Sequence, residues 1–183
     1  MLPMVTNVQE VEAVLAIIAQ LKEDLTGEGL AFDPRLPVGA MVEVPAAALA
    51  ARSLARRMDF LSIGTNDLIQ YTLAIDRLDD TVSYLFDPTH PAILQLIRTT
   101  IAAGRDLDTP VAMCGEMAGD PRFTRLLLGL GLRHFSMQPG ALLGIKEIVL
   151  AADLRALEAR TAQVFARLED AEPGELLDAL NQL

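Results

Sequence analysis

The chain has 183 residues and a formal net charge of −10, from 25 acidic and 15 basic side chains. Half of the residues are apolar (51%), which indicates a globular protein and argues against disorder. The acidic balance argues against nucleic acid or an anionic membrane as the main partner, so an anionic substrate needs local cations or a metal. A single cysteine excludes an internal disulfide, and Arg or Gly interrupts the longest apolar stretches, so no segment is expected to span a bilayer. We therefore expect a soluble, cytoplasmic protein.

The first part of the chain alternates short apolar runs with helical patterns. An apolar run covers Leu2–Val5, and Asn7 then caps a helix, with Glu10 completing a capping box. Val38–Val44 is a nearly unbroken apolar run, which is typical of a buried parallel strand. Pro45 stands where the next helix is expected to begin, because proline is favoured at the first helical position.

The same alternation continues through the rest of the chain. Phe60–Ile63 is predicted to be a strand, followed by Gly64-Thr65-Asn66-Asp67 and a short helix, and Asp76–Pro91 is predicted to be a loop. The later predicted elements are a helix over Ala92–Ala103, a strand over Pro110–Cys114, a helix between Asp120 and Gly131, and a short strand over His134–Met137. From Leu142 onward the pattern is helical, with a cap at Asp153 and a break at Pro173.

About five strands, each followed by a helix, predict an α/β fold with a parallel sheet. The pattern alone favours a five-stranded, doubly wound sheet, because an eight-stranded barrel usually needs ~250 residues. No internal repeat or flexible linker divides the sequence. We therefore treat residues 1–183 as a single domain.

Polar residues follow the predicted strands, and two of them are carboxylates. Glu43 lies at the end of one apolar run and Asp67 follows the next. In parallel α/β folds the carboxyl ends of the strands form the functional sites, so these residues are expected to converge. Hard cations such as Mg²⁺ are held by one or two carboxylates together with water and substrate phosphate. The alternative is that each carboxylate only caps the helix that follows it, and for Asp67 alone this alternative is the better one.

Three further features near the strand ends have both a functional and a structural interpretation. The backbone N–H groups of Gly64-Thr65-Asn66-Asp67 are suited to an anion, but the same string also makes an ordinary strand-to-helix turn. Arg77 lies in an acidic loop, where it either binds a phosphate or pairs with a neighbouring aspartate. Cys114 is either inert packing or a reactive acid or nucleophile at a strand end.

Taken together, these strings resemble the phosphoenolpyruvate (PEP)-utilising enzymes. Residues 41–47, Met-Val-Glu-Val-Pro-Ala-Ala, resemble the metal-binding strand of that family. Residues 62–77, from Ser62 to Arg77, resemble the signature of its Enzyme I branch, the PEP–protein phosphotransferases of bacterial sugar uptake. Residues 113–120 resemble the active-site cysteine segment of that branch, and Phe135-Ser136-Met137 resembles its final barrel strand. The resemblance covers nearly the whole chain and weakens after about residue 150.

The resemblance implies a (β/α)8 TIM-type barrel instead of the doubly wound sheet, present here as about strands four to eight. Residues 1–150 would supply the barrel elements and residues 151–183 C-terminal helices. It also implies roles for individual residues. Glu43 and Asp67 would hold Mg²⁺, Asn66 and Arg77 would contact the phosphate, and Cys114 would protonate the departing enolate to give pyruvate. A thiol suits that last role because it is ordinarily protonated at neutral pH.

The family also implies partners and missing parts. The phosphoryl acceptor is a histidine on a separate domain, which passes the group to a phosphocarrier protein, and this region also forms a homodimer. Neither the histidine domain nor the first barrel strands have a counterpart here. We therefore expect a C-terminal piece of a longer enzyme with little turnover alone, whose open sheet edges favour self-association. The alternatives are a non-catalytic binding or dimerisation module, and a barrel of the dikinase or PEP-synthase type, which the cysteine segment disfavours.

Overall fold

The computed structural model describes residues 1–168 and 173–182 and has a mixed α/β architecture. Its strands are β1 (Gly39–Val42), β2 (Phe60–Gly64), β3 (Val111–Cys114) and β4 (His134–Phe135). Its helices are α1 (Val8–Gly27), α2 (Pro45–Leu49), α3 (Ala51–Ala55), α4 (Thr65–Leu73), α5 (Pro91–Asp106), α6 (Pro121–Leu130), α7 (Pro139–Ala151), α8 (Leu154–Ala166) and α9 (Pro173–Asn181). Short 3-10 turns cover Ser83–Leu85 and Glu116–Gly119. The α/β class predicted from the sequence is confirmed.

The four strands form one parallel sheet in the order β1-β2-β3-β4. A doubly wound sheet reverses its strand order at a switch point. The described strands have no such reversal, so the doubly wound arrangement favoured by the pattern is wrong. The predicted strand over Leu2–Val5 is reduced to one parallel bridge between Leu2 and Ala40, which extends the same sequential order beyond β1.

The two faces of the sheet differ in composition. Side chains alternate between faces along a strand, and the register aligns Ala40 with Leu61 and Val42 with Ile63 and Met113. All five of these residues are fully buried in the main apolar cluster together with side chains from the helices. The opposite face carries the large apolar Met41 and Phe60 together with the small or polar Ser62, Gly64, Ala112 and Cys114. At its carboxyl end it leads to the polar residues singled out from the sequence.

Local signals in the sequence define several helix ends correctly. Asn7 and Glu10 form the predicted capping box of α1, and Asp120 and Asp153 cap α6 and α8. α6 ends at Gly131, which adopts φ +101° as the C-cap. The break predicted at Pro173 is the point where a new helix, α9, begins.

Among the described residues, none of the helices combines the length and the apolarity that a membrane crossing would require.

Candidate active site at the carboxyl end of the sheet

Three neighbouring strands end in the polar residues predicted from the sequence. Glu43 follows β1, Asn66 and Asp67 lie in the first turn of α4 directly after β2, and Cys114 is the last residue of β3. The register pairs Gly64 at the end of β2 with Cys114, so these ends meet at one edge of the sheet. The convergence expected of a parallel sheet is therefore present.

Glu43 is a buried carboxylate held by the backbone of the first segment. Its side chain is 5% exposed, and its Oε1 accepts a hydrogen bond of 2.7 Å from the backbone N–H of Met4. The other oxygen lies beside Gly64, where an added Cβ would be 2.8 Å from Oε2. A buried charge is costly unless it is bonded or neutralised, and one backbone hydrogen bond compensates only part of that cost.

α4 holds the segment after β3 through two side-chain hydrogen bonds. Thr65 Oγ1 donates to the carbonyl of Cys114 at 3.1 Å, and Asn66 Oδ1 accepts from the backbone N–H of Glu116 at 3.1 Å. The second bond assigns the orientation of the Asn66 amide, since its oxygen must face the N–H group. Its NH₂ group then remains as a donor, which is the form that suits an anionic ligand.

Gly115 allows this close approach of the two segments. It adopts φ +96° and ψ −178°, a region occupied almost only by glycine. An added Cβ would lie 2.4 Å from Thr65 Oγ1 and 3.0 Å from Asn66 Oδ1. No larger residue fits there without moving the segment that carries Cys114.

Arg77 lies in the loop after α4 and reaches toward the same segment. Its backbone N–H donates to Gln70 Oε1 at 3.3 Å, and its guanidinium Nη1 lies 3.5 Å from Glu116 Oε1. The two charged side chains are 34% and 74% exposed, so their ion pair is weak and can be exchanged for another anion.

The Cys114 thiol has two neighbours on β2. It donates to the carbonyl oxygen of Ile63 at 3.6 Å and accepts from the hydroxyl of Ser62 at 3.8 Å. Reasoning from the sequence missed Ser62. The available signal was a hydroxyl inside an otherwise apolar strand, because such a group is costly to bury without a partner.

A cleft of about 680 Å³ opens beside the thiol. It is lined by Asn66, Cys114, Gly115, Glu116, Gly119, Ser136, Met137, Gln138, Gly140 and Ala141. The structure therefore brings two predicted residues, Asn66 and Cys114, into one cavity, and Arg77 touches its rim through Glu116. Glu43 and Asp67 are not among the lining residues, although they follow the two adjacent strands.

The two carboxylates suit one type of metal ion. No group of three or more His, Cys, Asp or Glu side chains able to hold a metal occurs within 1–168 and 173–182. A closed structural zinc site is therefore not formed by these residues, since it takes four protein ligands. Glu43 Oε2 and the Asp67 carboxylate have no recorded hydrogen-bond donor in the described part of the chain. Two hard oxygen ligands fit a magnesium-like ion that keeps water and substrate in its remaining positions.

Comparisons with known proteins agree with this geometry. A family described as "PEP-utilising enzyme, PEP-binding domain" matches residues 1–154. A phosphoenolpyruvate-protein phosphotransferase of Cupriavidus necator is 53% identical over 183 residues, which is 100% of this chain and 31% of that protein. Phosphotransferases of the same name from Haemophilus influenzae and Enterococcus faecalis are 48% and 44% identical over 81% and 84% of this chain.

The chain spans less than a third of these relatives, between 26% and 31% of their length. The family match covers most of the chain, and the first relative is similar along all of it. The chain therefore belongs to the family of PEP-utilising enzymes, in the part described as the PEP-binding domain.

Proposed function

We propose that this chain forms the metal- and substrate-binding part of a PEP–protein phosphotransferase of the Enzyme I type. The observation that carries the proposal is the meeting of Glu43, the Asn66-Asp67 turn and Cys114 at the ends of three consecutive parallel strands. The relatives at 44% to 53% identity bear the name of this enzyme, which supports the same reaction for the protein to which the chain corresponds.

We further propose that the sheet is one arc of a (β/α)8 barrel, comprising about strands four to eight. A sequential, all-parallel order supports this, because right-handed crossovers between adjacent strands bring every helix to the same face of the sheet. That face is the outside of a barrel wall. The bridge at Leu2 then marks the position of the fourth strand, before β1.

Glu43 and Asp67 are the residues proposed to hold Mg²⁺. When bound there, the ion would neutralise charge on the phosphate and carboxylate of PEP, which an acidic protein could not otherwise attract. Asn66 donates its free NH₂ group, and Arg77 exchanges Glu116 for a phosphate oxygen. Phosphoryl transfer depends mostly on such positioning and charge neutralisation.

Cys114 is the proposed proton donor. When the phosphoryl group leaves, the enolate of pyruvate keeps the bonding electrons, and its methylene carbon takes the proton from Sγ. The position of the thiol in the lining of the cleft beside Asn66 supports this role. The proposed phosphoryl acceptor is a histidine on a separate domain. That histidine would pass the phosphoryl group to the phosphocarrier protein.

The test is calorimetric titration of the chain with PEP in the presence and absence of Mg²⁺. We expect heat of binding only when both are present. Glu43→Gln and Asp67→Asn remove the anionic ligands with little change of shape, and each is expected to weaken binding by more than about tenfold, since each removes a metal ligand. Binding of Mn²⁺ alone, followed by electron paramagnetic resonance, is expected to weaken in parallel.

Glu147→Gln is the matched control, because Glu147 is exposed on α7 and makes no recorded hydrogen bond. It is expected to leave both titrations unchanged. If Mn²⁺ and PEP bind equally well to all variants, or if neither binds to the original chain, the proposal is wrong. The chain would then be better interpreted as a non-catalytic binding or dimerisation module.

A further inference from the structure

We propose that Ser62 positions the Cys114 thiol and donates a hydrogen bond to the sulfur when its proton leaves. The role in catalysis rests on the proposed function, in which Cys114 is the proton donor. The contact itself is a property of this chain and is testable without substrate.

Ser62 is an unexpected residue in the centre of the sheet. It stands between Leu61 and Ile63, which are fully buried, and it is itself 6% exposed. Serine adds neither strand propensity nor apolar packing at such a position. Its hydroxyl has one recorded partner among the described residues, the sulfur of Cys114. A buried hydroxyl is costly without a partner, so this contact is what compensates its burial.

The register of the sheet explains how the two side chains meet. Ser62 is aligned with Ala112, and Gly64 is aligned with Cys114. All four residues point to the same face, because side chains two residues apart share a face. Ala112 has only a small side chain, and the thiol on β3 reaches the hydroxyl on β2 at 3.8 Å.

The two contacts of the sulfur have different functions. The S–H group points to the carbonyl oxygen of Ile63, which holds the thiol against β2. During the reaction the S–H bond breaks, the proton forms a C–H bond with the enolate carbon, and the sulfur retains the electron pair as a thiolate. A thiolate accepts a hydrogen bond more strongly than a thiol, so the Ser62 O–H group stabilises this product. Water entering the open cleft then returns a proton to the sulfur, and the hydroxide that this leaves is released to bulk solvent.

The distance of 3.8 Å is long for this bond. Catalytic hydrogen bonds are often long before the substrate is present and shorten in the reacting complex. The contact therefore places the hydroxyl so that it can donate to the sulfur once the S–H bond breaks.

The rate of alkylation of Cys114 by iodoacetamide tests the proposal directly. The chain has one cysteine, so the second-order rate constant at neutral pH reports this thiol alone. We expect Ser62→Ala to lower the rate constant about threefold. Without the donor the thiolate is less stable, so a smaller fraction of the cysteine is in the reactive thiolate form. A less stabilised thiolate is, however, a stronger nucleophile. On a logarithmic scale, this gain in reactivity offsets about half of the loss in thiolate fraction.

The sign of the change separates positioning from packing. A merely structural loss at Ser62 would loosen the strand and expose the thiol, which would raise the alkylation rate. The charged groups on the surrounding elements are Glu116 in the same cleft, Arg77 paired with it, and Glu43 beside Gly64. They are the same in all variants and do not contribute to the difference.

Ser62→Thr and Ser62→Val form a pair of almost equal volume, which differ in the hydroxyl group. We expect the Thr variant to keep the original rate and the Val variant to be slow, and this comparison holds even if the Ala variant does not fold. Ser53→Ala, in α3, is the remote control and is expected to react like the original chain. Equal or faster alkylation of Ser62→Ala or Ser62→Val in folded protein overturns the proposal. Because no PEP or Mg²⁺ is used, failure here is distinct from failure of the calorimetric test.

Discussion

Gly115 is the single residue on which the shape of the candidate site most directly depends. Its φ of +96° is available to glycine and strained for any other residue, and its Cα faces two side chains of α4. Those side chains, Thr65 and Asn66, hold the segment that carries Cys114. Backbone conformation, close packing and position of the thiol are therefore coupled at one residue.

Gly115→Ala is expected to lower the free energy of unfolding by about 2 to 4 kcal/mol, the sum of backbone strain and overpacking. Urea unfolding followed by circular dichroism measures this in a chain that has no tryptophan. Gly144→Ala is the control, because a Cβ at this helical position in α7 meets nothing within 4 Å. It is expected to be neutral or to stabilise by up to about 1 kcal/mol. Equal effects of the two substitutions would contradict the strain assigned to Gly115.

Most residues of the candidate site were identifiable from short strings, but their partners were not. Glu43, Asp67 and Cys114 follow apolar runs, a pattern visible within a few residues of sequence. Their contacts depend on which residues the sheet aligns across separations of up to 52 positions, as for Ser62 and Cys114. Local patterns carry no information about that alignment, so both Ser62 and the backbone donor Met4 emerged from the structure alone.

At the scale of the element, α6 illustrates a helix stabilised at its first turn by a charged cap. Asp120 Oδ1 accepts from the backbone N–H of Arg122, and the Arg122 guanidinium pairs with the same carboxylate at 2.6 Å. Partial burial acts to raise the pKa of Asp120, but the hydrogen bonds and charge of Arg122 prevail and hold its pKa below the ordinary 3.8. The carboxylate form is thus favoured in the folded protein.

We expect Asp120→Ala to destabilise the chain by about 1 kcal/mol at pH 7, a typical cost of losing a cap. Since the folded pKa is lowered, this stabilisation is fully present above the unfolded pKa and is lost as the pH falls through the folded pKa. The difference in unfolding free energy between the two proteins should therefore narrow below about pH 4. Urea unfolding at pH 7, 5, 4 and 3 measures it.

Asp120→Asn keeps an oxygen for the backbone N–H but carries no charge. It should cost less than the alanine substitution at pH 7, because asparagine is also a good cap. A difference between the original chain and Asp120→Ala that stays constant down to pH 3 would show that the charge on Asp120 is not involved.

The sequence predicted some elements better than others. The difference depends on how far apart in the sequence the residues lie that form each element. Helix ends at Asn7, Asp120 and Gly131 depend on bonds within one turn, and they lie where the sequence indicated. A strand over Leu2–Val5 would need backbone hydrogen bonds to β1 along its whole length. The sheet provides them at Leu2 alone, so only a single bridge forms. The order of the strands is likewise a non-local property, so only the chain length was left to choose between the two kinds of sheet, and it favoured the wrong one.

At the scale of the whole molecule, the described part leaves an apolar stripe uncovered on α7. Leu143 and Leu150 are 78% and 76% exposed, and seven positions apart they project from the same side of the helix. Leu142 and Val149 repeat the same spacing beside them and are also exposed. A contiguous apolar surface of this kind marks an interaction site, and it offers a place to test the self-association expected from the sequence.

Sedimentation velocity should accordingly reveal association that increases with protein concentration. The double substitution Leu143→Lys and Leu150→Lys is expected to shift the chain toward monomer without lowering its unfolding free energy, because both side chains are already in water. Leu36→Lys, which changes an exposed leucine in the loop before β1, is the control and should still associate. A monomeric original chain at every concentration would contradict the homodimer.

The sequential order of the sheet also bears on how the chain acquires its structure during synthesis. The Leu2 segment, β1, β2, β3 and β4 follow one another in space as they do along the sequence. Each of β1 to β4 therefore leaves the ribosome after the neighbour that precedes it in the sheet, and none of these four strands inserts between two others. Growth of this part of the sheet in chain order keeps the search for contacts short, and it limits the time during which these apolar strands are exposed.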